Sequence, residues 1–319
     1  MAEIGKDILK AKALLEAGEL VGLPTETVYG LAANALNAKA VAKIFEAKER
    51  PSFDPLIIHT DSIQKVKDFV QYIPLDLEVL LKQFSPGPIT VLLPKKAIIS
   101  DLVTSGLERV AVRIPNHPLS LELLRSIDFP LAAPSANPFG YISPTSAQHV
   151  ENQLGEKLKY ILDGGECQVG LESTIIGFEN DKLTVYRKGG LSIESIEKVV
   201  GKVNLKEHSS SNPAAPGMLK SHYAPKKKVI FIRDFDAHPF DYNPDKVGFL
   251  GFCEALPFLK TEQQFLLSPN KDLNEAARNL FKGLRFLDQL DIETVIIELV
   301  PEVGLGMAIN DRLKRAAAK

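Results

Sequence analysis

Cysteine is scarce in this chain, and its scarcity excludes two common kinds of small scaffold. The two cysteines, Cys167 and Cys253, lie far apart in the 319 residues and form no CxxC pair. A zinc ribbon needs closely spaced cysteine pairs, and a disulfide scaffold needs several cysteines in a short chain. The sequence therefore predicts neither, and its apolar share of 45% is typical of a globular protein.

Long apolar runs are also missing. No run approaches the roughly 18 apolar residues of a membrane-spanning helix, and charges interrupt the N-terminal segment, so no signal peptide is predicted. The formal net charge of −2 gives no overall attraction to nucleic acids or to membrane surfaces. We therefore expect a cytoplasmic protein that does not contact membranes, and the net charge remains compatible with a local basic cavity.

The motifs of common nucleotide-binding and hydrolytic sites are absent as well. The sequence contains no P-loop (GxxxxGKS or GxxxxGKT), no HExxH, no GxSxG elbow and no GxGxxG after a predicted strand. If the chain handles a nucleotide, it must do so through a less common arrangement of residues.

The first two thirds of the chain alternate short apolar runs with amphipathic stretches, a pattern that predicts a mixed α/β domain. The predicted strands are β-favouring runs closed by a proline, a glycine or a polar turn residue. Between them, Val41, Ile44 and Phe45 recur at helical spacing. Another helix is predicted to begin at Ser143 as N-cap, because Pro144 would then occupy the first helical position.

The pattern stops in a segment rich in Ser, Pro, Asn and Gly, which is typical of a linker. Beyond it, strands alternate with helices again and predict a small, mostly parallel, three-layer sheet. We therefore predict a first domain at 1–203, a linker at 204–228 and a C-terminal domain at 229–319. The C-terminal domain contains no recognisable catalytic cluster, and Asp311 and Arg312 on its last helix are interpreted as a pair within that domain.

Polar side chains gather at predicted strand and helix ends, where open α/β sheets carry their chemistry. The groups are Pro24 to Gly30, Lys48 to Pro51 with Asp54 and His59, Arg113 with Ser135, Asn137 and Ser143, and Glu172 to Thr174 with Arg187 and Lys188. Some of these residues could instead have a purely structural role. Thr25 or Thr27 could cap a helix, and the positive charges of Lys48 and Arg50 would be favourable at any helix C-terminus. An arginine that ends an apolar strand, as Arg113 does, indicates an anion opposite it. Convergence of these cations would form a basic pocket suited to a triphosphate and a carboxylate.

An ordered series of motifs resembles the Sua5/YrdC/YciO family along nearly the whole chain. The series runs from Thr25-Glu26-Thr27-Val28-Tyr29-Gly30-Leu31 through Lys48-x-Arg50-Pro51, Pro55-Leu56, His59, Ser85 to Thr90, Val112-Arg113-x-Pro115, Ser135-Ala136-Asn137, Ser143-Pro144-Thr145, Glu172-Ser173-Thr174 and Arg187-Lys188-Gly189. Pro216-Gly217-Met218, His222-Tyr223-Ala224-Pro225 and the closing Gly304 to Leu313 are similar to the longer, two-domain Sua5 form. The resemblance implies a YrdC-like open twisted mixed sheet with helices, followed by a small Rossmann-like three-layer C-terminal domain.

The resemblance also implies an activity, the synthesis of threonylcarbamoyl-AMP and diphosphate from L-threonine, bicarbonate and ATP. A partner system of transfer enzymes would then move the threonylcarbamoyl group to adenosine 37 of tRNAs that read ANN codons, and direct tRNA binding by this chain is left open. In-line attack on the α-phosphorus by a ready anion needs positioning and charge neutralisation, with no obligatory protein nucleophile. No general acid or base is therefore assigned.

The family's binding roles, carried onto matching residues, imply two sets of contacts. The threonine set is Thr27, His59, Arg113, Ala133 and Ser173, with Arg113 pairing with the carboxylate. The ATP set is Lys48, Arg50, Asp54, Ser135, Ser143, Arg187 and Tyr223, with Tyr223 reaching over the nucleotide so that the linker forms a lid. Mg²⁺ would be carried on the phosphates, because no cluster of metal ligands is recognisable in the sequence.

Two residues depart from the family pattern. Asp54 stands where asparagine is usual, so its carboxylate could face a metal ion or the ribose instead of a phosphate. Arg109 stands where a small or hydroxylated residue is common, and it could add a phosphate contact or be solvated at the start of its strand.

Three other functions are compatible with a basic pocket. They are an RNA-binding module of the YrdC type, a carbamoyl-transfer enzyme with another amine acceptor, and a threonine or nucleotide sensor without turnover. Nucleic-acid grooves favour spread cations interleaved with aromatic residues. Here the cations stand singly at the ends of separate elements, which favours a compact ligand.

Overall fold

The computed structural model describes residues 1–206, 213, 215–218 and 222–318, together with the backbone but not the side chain of Phe240. Parts of the predicted linker, at 207–212, 214 and 219–221, therefore lie outside the described residues, as does Lys319. The described strands form two sheets, one of eleven strands and one of four. No helix in this described part of the chain is long and apolar enough to cross a membrane.

The larger sheet is mixed, with both parallel and antiparallel neighbours, and its strand order is β1-β8-β2-β3-β7-β4-β6-β5-β9-β10-β11. Its strands are β1 (Glu3–Gly5), β2 (Val21–Leu23), β3 (Gly30–Asn34), β4 (Ile57–His59), β5 (Ile89–Pro94), β6 (Arg109–Arg113), β7 (Leu131–Ala132), β8 (Tyr160–Leu162), β9 (Thr174–Glu179), β10 (Lys182–Arg187) and β11 (Asn204–Leu205). Strands β4 and β6 are parallel and end side by side, with His59 in register with Arg113. This pairing places two of the predicted threonine contacts on neighbouring strand ends.

Helices cover this sheet, and their ends are fixed by local hydrogen bonds. They are α1 (Ile8–Glu16), α2 (Ala38–Lys48), α3 (Ile63–Phe69), α4 (Leu75–Phe84), α5 (Asp101–Thr104), α6 (Pro118–Ser126), α7 (Ala147–Leu154) and α8 (Ile193–Val200). The side chain of Asn37 caps α2 by accepting from the amides of Lys39 and Ala40. Glu49 ends the same helix in the left-handed conformation, with φ of 54°. The chain reverses there, immediately before Arg50.

The predicted start of α7 at Ser143 is wrong. The helix begins at Ala147, and its N-cap is Ser146, whose side chain accepts from the amide of His149. Residues 144 and 145 stay outside the helix because their carbonyls accept from the distant amides of Tyr29 and Cys167. The Ser143 hydroxyl instead donates to the Glu172 carboxylate at 2.6 Å.

The smaller sheet confirms the predicted parallel three-layer arrangement. Its order is β12-β15-β13-β14, all in parallel pairs, formed by β12 (Lys228–Phe231), β13 (Val247–Gly251), β14 (Gln264–Leu266) and β15 (Thr294–Ile297). The α-helices of this part are α9 (Ile232–Ala237), α10 (Leu273–Gln289) and α11 (Gly306–Ala316). It also contains short 3₁₀ helices at Pro239–Asp241, Pro244–Lys246 and Thr261–Gln263. Another 3₁₀ helix, Gly155–Lys157, belongs to the first part of the chain. Along β15 the side chains alternate, since Ile296 packs with Phe235 of α9 while Val295 and Ile297 pack in the cluster of α10 and α11.

The two parts of the chain share a hydrophobic cluster. Val28, Ile142 and Leu171 of the first part pack in one buried cluster with residues of α10 and α11, including Phe281 and Ile309. Gly170 allows the closest approach, because it has φ of +73° and a Cβ there would lie 2.5 Å from the Cα of Arg278 on α10. The C-terminal part therefore packs directly on the loops at one edge of the large sheet.

Candidate active site

A pocket lies at that edge of the large sheet, where strand ends from distant parts of the sequence meet. Eight of the predicted site residues line it: Arg50, His59, Arg113, Ala133, Ser135, Ser173, Arg187 and Tyr223. The predicted convergence of cations is thus present for Arg50, Arg113 and Arg187, which belong to separate elements.

Arg113 is buried and held on three sides. Its Nη2 forms an ion pair with Glu26 Oε1 at 2.7 Å, its Nη1 donates to Thr27 Oγ1 at 2.7 Å, and its Nε donates to the Gly87 carbonyl at 3.3 Å. A guanidinium has five N–H groups, so these contacts leave hydrogen-bonding capacity for an anion in the pocket. Thr27 therefore acts on the pocket through Arg113, since it is not itself a lining residue.

His59 lies beside Arg113 and is neutral at physiological pH. Burial, and secondly the positive charge of Arg113, lower the pKa of His59 to about 3. The imidazole can therefore serve as a hydrogen-bonding group in the pocket without adding charge to it.

Arg50 and Asp54 form a buried ion pair on the wall of the pocket. Nη2 of Arg50 lies 2.9 Å from Asp54 Oδ2, while Nε and Nη2 donate to the carbonyls of Asp54 and Pro55 at 3.0 and 2.8 Å. Asp54 is fully buried and does not line the pocket. Its carboxylate thus orients Arg50 and does not face the pocket, contrary to the expectation that it meets a metal ion or the ribose there.

Arg187 lines the pocket and holds Ser173 in place. It donates to the Ser173 carbonyl from Nε at 3.1 Å and from Nη2 at 2.9 Å, and Nη2 also reaches Ser173 Oγ at 3.1 Å. Burial lowers the pKa of Arg187 to about 10, which still leaves the side chain charged near neutral pH. Ser173 Oγ lies 2.7 Å from Thr90 Oγ1, so its position is fixed from two sides.

Lys48 lies behind the pocket lining. Its Nζ donates to the carbonyls of Ser135, at 2.6 Å, and of Asn137, so it holds the loop that presents Ser135. Burial, and then the nearby charge of Arg50, keep the pKa of Lys48 well below its usual range. Lys188 is half-buried and not a lining residue, so the predicted convergence does not include it.

Arg109 has neither of the two roles considered for it. It lies at the start of β6, at the opposite end of that strand from Arg113, and donates to the Phe178 carbonyl and to the Tyr186 hydroxyl, the latter at 3.0 Å. Its guanidinium also covers the Tyr186 ring. Arg109 therefore links β6 to the β9–β10 hairpin, through its contacts with Phe178 of β9 and Tyr186 of β10.

The linker closes one side of the pocket. Pro216, Gly217, His222 and Tyr223 line it, and Gly217 has φ of +72° with Arg187 Nη1 only 2.8 Å from where a Cβ would stand. Burial is the largest of the effects that hold the pKa of His222 well below its usual range. The motif that contains Tyr223 is thus adjacent to the predicted nucleotide contacts, within the described part of the linker.

Glu172 also lines the pocket, although sequence reasoning assigned it no role. Oε1 accepts from the Ser143 hydroxyl at 2.6 Å, and Oε2 pairs with Arg312 Nε at 3.0 Å. Burial alone would raise the pKa of Glu172, but Arg312, Arg187 and Ser143 lower it, so the carboxylate is ionised. The interpretation of Asp311 and Arg312 as a pair within the C-terminal domain is therefore incomplete. Arg312 does pair with Asp311 at 2.8 Å, but it also crosses to Glu172, a contact that neighbouring sequence positions cannot indicate.

No group of three or more His, Cys, Asp or Glu side chains suited to a metal ion occurs among the residues that the structure describes. Glu172 in the lining, and Asp54 and Glu26 behind it, are already paired with arginines. A magnesium ion entering this pocket would therefore depend on oxygens of the nucleotide that carries it.

Two family models together match nearly the whole chain. The Sua5/YciO/YrdC model, described as telomere recombination, matches residues 13–189, and the model of the C-terminal domain of threonylcarbamoyl-AMP synthase matches residues 191–318. The chain belongs to the Sua5/YciO/YrdC family. It carries both parts of the two-domain Sua5 form, as the motifs predicted.

Individual Sua5-type relatives match over almost their full length. Threonylcarbamoyl-AMP synthase of Pyrococcus abyssi is 41% identical over 321 residues, covering 96% of this chain and 93% of the relative. Threonylcarbamoyl-AMP synthase of Bacillus subtilis is 38% identical, covering 97% and 92%. The crystal structure of P. abyssi Sua5 complexed with L-threonine has a TM-score of 0.91 at 39% identity, covering 99% of this chain and 97% of that one. The predicted family and fold class are confirmed.

Proposed function

We propose that this Sua5-family chain is a threonylcarbamoyl-AMP synthase. The observation that carries the proposal is one pocket that combines three buried arginines from separate elements with a neutral histidine. The ammonium group of L-threonine first loses a proton to solvent, and the resulting amine and bicarbonate form a carbamate and water. A carbamate oxygen then attacks the α-phosphorus of ATP. The bond from that phosphorus to the bridging oxygen breaks, and diphosphate leaves.

The threonine end of the pocket is assigned to Arg113 and its neighbours. Arg113 pairs with the amino acid carboxylate through the N–H groups that Glu26, Thr27 and Gly87 leave unused. His59, Ala133 and Ser173 line the same region and surround the rest of the amino acid. Because His59 is neutral, it can hydrogen-bond without repelling the ammonium group of threonine.

The phosphate end is assigned to Arg50 and Arg187, with Ser135 and Tyr223 on the same lining. Both arginines are desolvated in advance, so an incoming phosphate can bind them without displacing full hydration shells. Three predicted ATP contacts act indirectly in this proposal. Lys48 holds Ser135, and Asp54 orients Arg50. Ser143 donates to Glu172. Mg²⁺ is expected to enter with the nucleotide and to neutralise developing phosphate charge.

Burial of the cations also separates this function from an RNA-binding module. Arg50, Arg113 and Arg187 are only 9%, 4% and 6% exposed, so they cannot follow a polynucleotide backbone.

We propose that the product passes in the cytoplasm to transfer enzymes that modify adenosine 37 of ANN-decoding tRNAs. The predicted division at 1–203, 204–228 and 229–319 is retained as part of this proposal.

Diphosphate release tests the activity. The protein is incubated with ATP, Mg²⁺, bicarbonate and single amino acids, and we expect release that requires both threonine and bicarbonate. Arg113→Met should strongly raise the threonine concentration needed for release, whereas Arg109→Met, at the other end of the same strand, should leave it unchanged. Wild-type protein that releases no diphosphate in response to threonine would overturn the proposal.

A further inference from the structure

Arg312 connects the last helix of the chain to the pocket. It lies on α11, is 0% exposed, and pairs through Nε with Glu172 Oε2 at 3.0 Å and through Nη1 with Asp311 Oδ2 at 2.8 Å. Glu172 directly precedes Ser173, and both line the pocket. A residue of the C-terminal domain therefore fixes a carboxylate in the wall of the site.

The same arginine also covers the linker tyrosine. Its guanidinium carbon is 5.1 Å from the centroid of the Tyr223 ring, and that of Arg315, one turn further along α11, is 4.7 Å away. Nη1 of Arg315 lies 3.5 Å from the Tyr223 hydroxyl. Two desolvated cations on one aromatic ring hold it strongly, because cation–π attraction increases when water is excluded.

These contacts meet at a geometrically unusual residue. Tyr223 is 1% exposed and has φ of 66°, a backbone conformation that a bulky side chain adopts only when its surroundings enforce it. The ring also packs against Phe281 of α10, with centroids 5.5 Å apart. Helices α10 and α11 thus supply contacts that hold this ring, together with the neighbouring ring of His222.

We propose that Arg312 is a positioning residue for the nucleotide end of the pocket: it holds Tyr223 against the pocket and Glu172 in its wall, so the closed site requires the docked C-terminal domain. Lysine is not equivalent, because its single ammonium group cannot reproduce the two separate nitrogens of the guanidinium that donate to Glu172 and Asp311 near the ring. This inference rests on the proposed function for its kinetic consequences, but the placement of Tyr223 can be measured without turnover.

The placement test uses the absence of tryptophan from the sequence. Tyr223→Trp introduces a single tryptophan whose emission reports the burial of the ring. We expect blue-shifted emission in that variant and a red shift when Arg312→Met or Arg312→Lys is added. Lys314→Met is the matched control, because Lys314 lies on the same helix but pairs with Glu302 at the surface. Unchanged emission in both Arg312 variants, provided that they show a cooperative thermal transition, would overturn the proposal.

A kinetic cycle tests the consequence for the nucleotide. Arg312→Lys should raise KM for ATP by about tenfold, equivalent to about 1.4 kcal/mol, and should change threonine affinity by less than about twofold. Combined with Tyr223→Ala, it should add little to the effect of Tyr223→Ala alone, because residues that act through one contact are not additive. Fully additive effects, or an equal loss for both substrates, would contradict a positioning role. If the wild type shows no threonine-dependent release, the proposed function fails, whereas the emission experiment still decides the placement.

Discussion

Glu26 and Arg113 form an ion pair of 2.7 Å whose side chains are 7% and 4% exposed. Removing one partner of a buried pair leaves the other charge desolvated and uncompensated, which costs about 3–5 kcal/mol. We therefore predict that Glu26→Ala lowers the free energy of unfolding by roughly that amount, as measured by urea denaturation. Glu3→Ala is the control, because Glu3 pairs with Lys10 at the exposed surface and should contribute less than about 1 kcal/mol. Equal effects of the two changes would show that burial of the pair is energetically unimportant.

Arg113 has a second partner in the proposed function, the carboxylate of threonine. Loss of a charge-assisted hydrogen bond costs about 1.5–3 kcal/mol, so Arg113→Ala should weaken threonine binding by that range, measured by calorimetry on folded protein. Arg109→Ala removes an arginine from the same strand but from the end that faces Phe178 and Tyr186. Threonine affinity should be unchanged in that control. Unaltered affinity in Arg113→Ala would remove this residue from the threonine site.

The pattern of apolar and turn residues predicted most strands of the large sheet and the parallel C-terminal sheet. A strand can be predicted in this way because its signal lies in residues that are neighbours in the sequence. The pattern also located Arg113 and Arg187, since a cation that ends a buried strand has few structural reasons to be there. Arg50 follows a helix, where a cation is favourable in any case, and was located through the family motif. The pattern could not locate the Glu172–Arg312 pair, whose members are separated by 140 positions.

The misplaced start of α7 has a related cause, because a serine can cap a helix at either Ser143 or Ser146. The choice is made by distant groups, the Glu172 carboxylate and the amides of Tyr29 and Cys167, which hold residues 143–145 outside the helix.

His59 predicts a specific pH dependence of stability. Its pKa is lowered to about 3 in the folded protein from an ordinary value of 6.5, so the unfolded chain binds a proton more readily. Stability is therefore lost as pH falls from about 6.5 towards 3, by up to about 1.4 kcal/mol per pH unit. His59→Asn should remove this contribution to the acid-side slope, measured by denaturation at several pH values in that window. His238→Asn, which changes an exposed histidine, is the control, and an unchanged slope in His59→Asn would contradict the assignment.

Ser143 and Ser146 allow the two roles of a serine near α7 to be separated. Ser146 caps the helix, so Ser146→Ala should lower the free energy of unfolding by about 1 kcal/mol and leave kcat/KM nearly unchanged. Ser143 donates to Glu172 in the pocket wall, so Ser143→Ala removes one of the two groups that orient this carboxylate and should lower kcat/KM for ATP. The expected loss is about tenfold, because a hydrogen bond to a charged group is worth about 1.5–3 kcal/mol and Arg312 still holds Oε2. Diphosphate-release kinetics and thermal denaturation on both variants decide between these roles. A larger kinetic loss in Ser146→Ala than in Ser143→Ala would mean that the position of α7, and not the orientation of Glu172, controls the pocket.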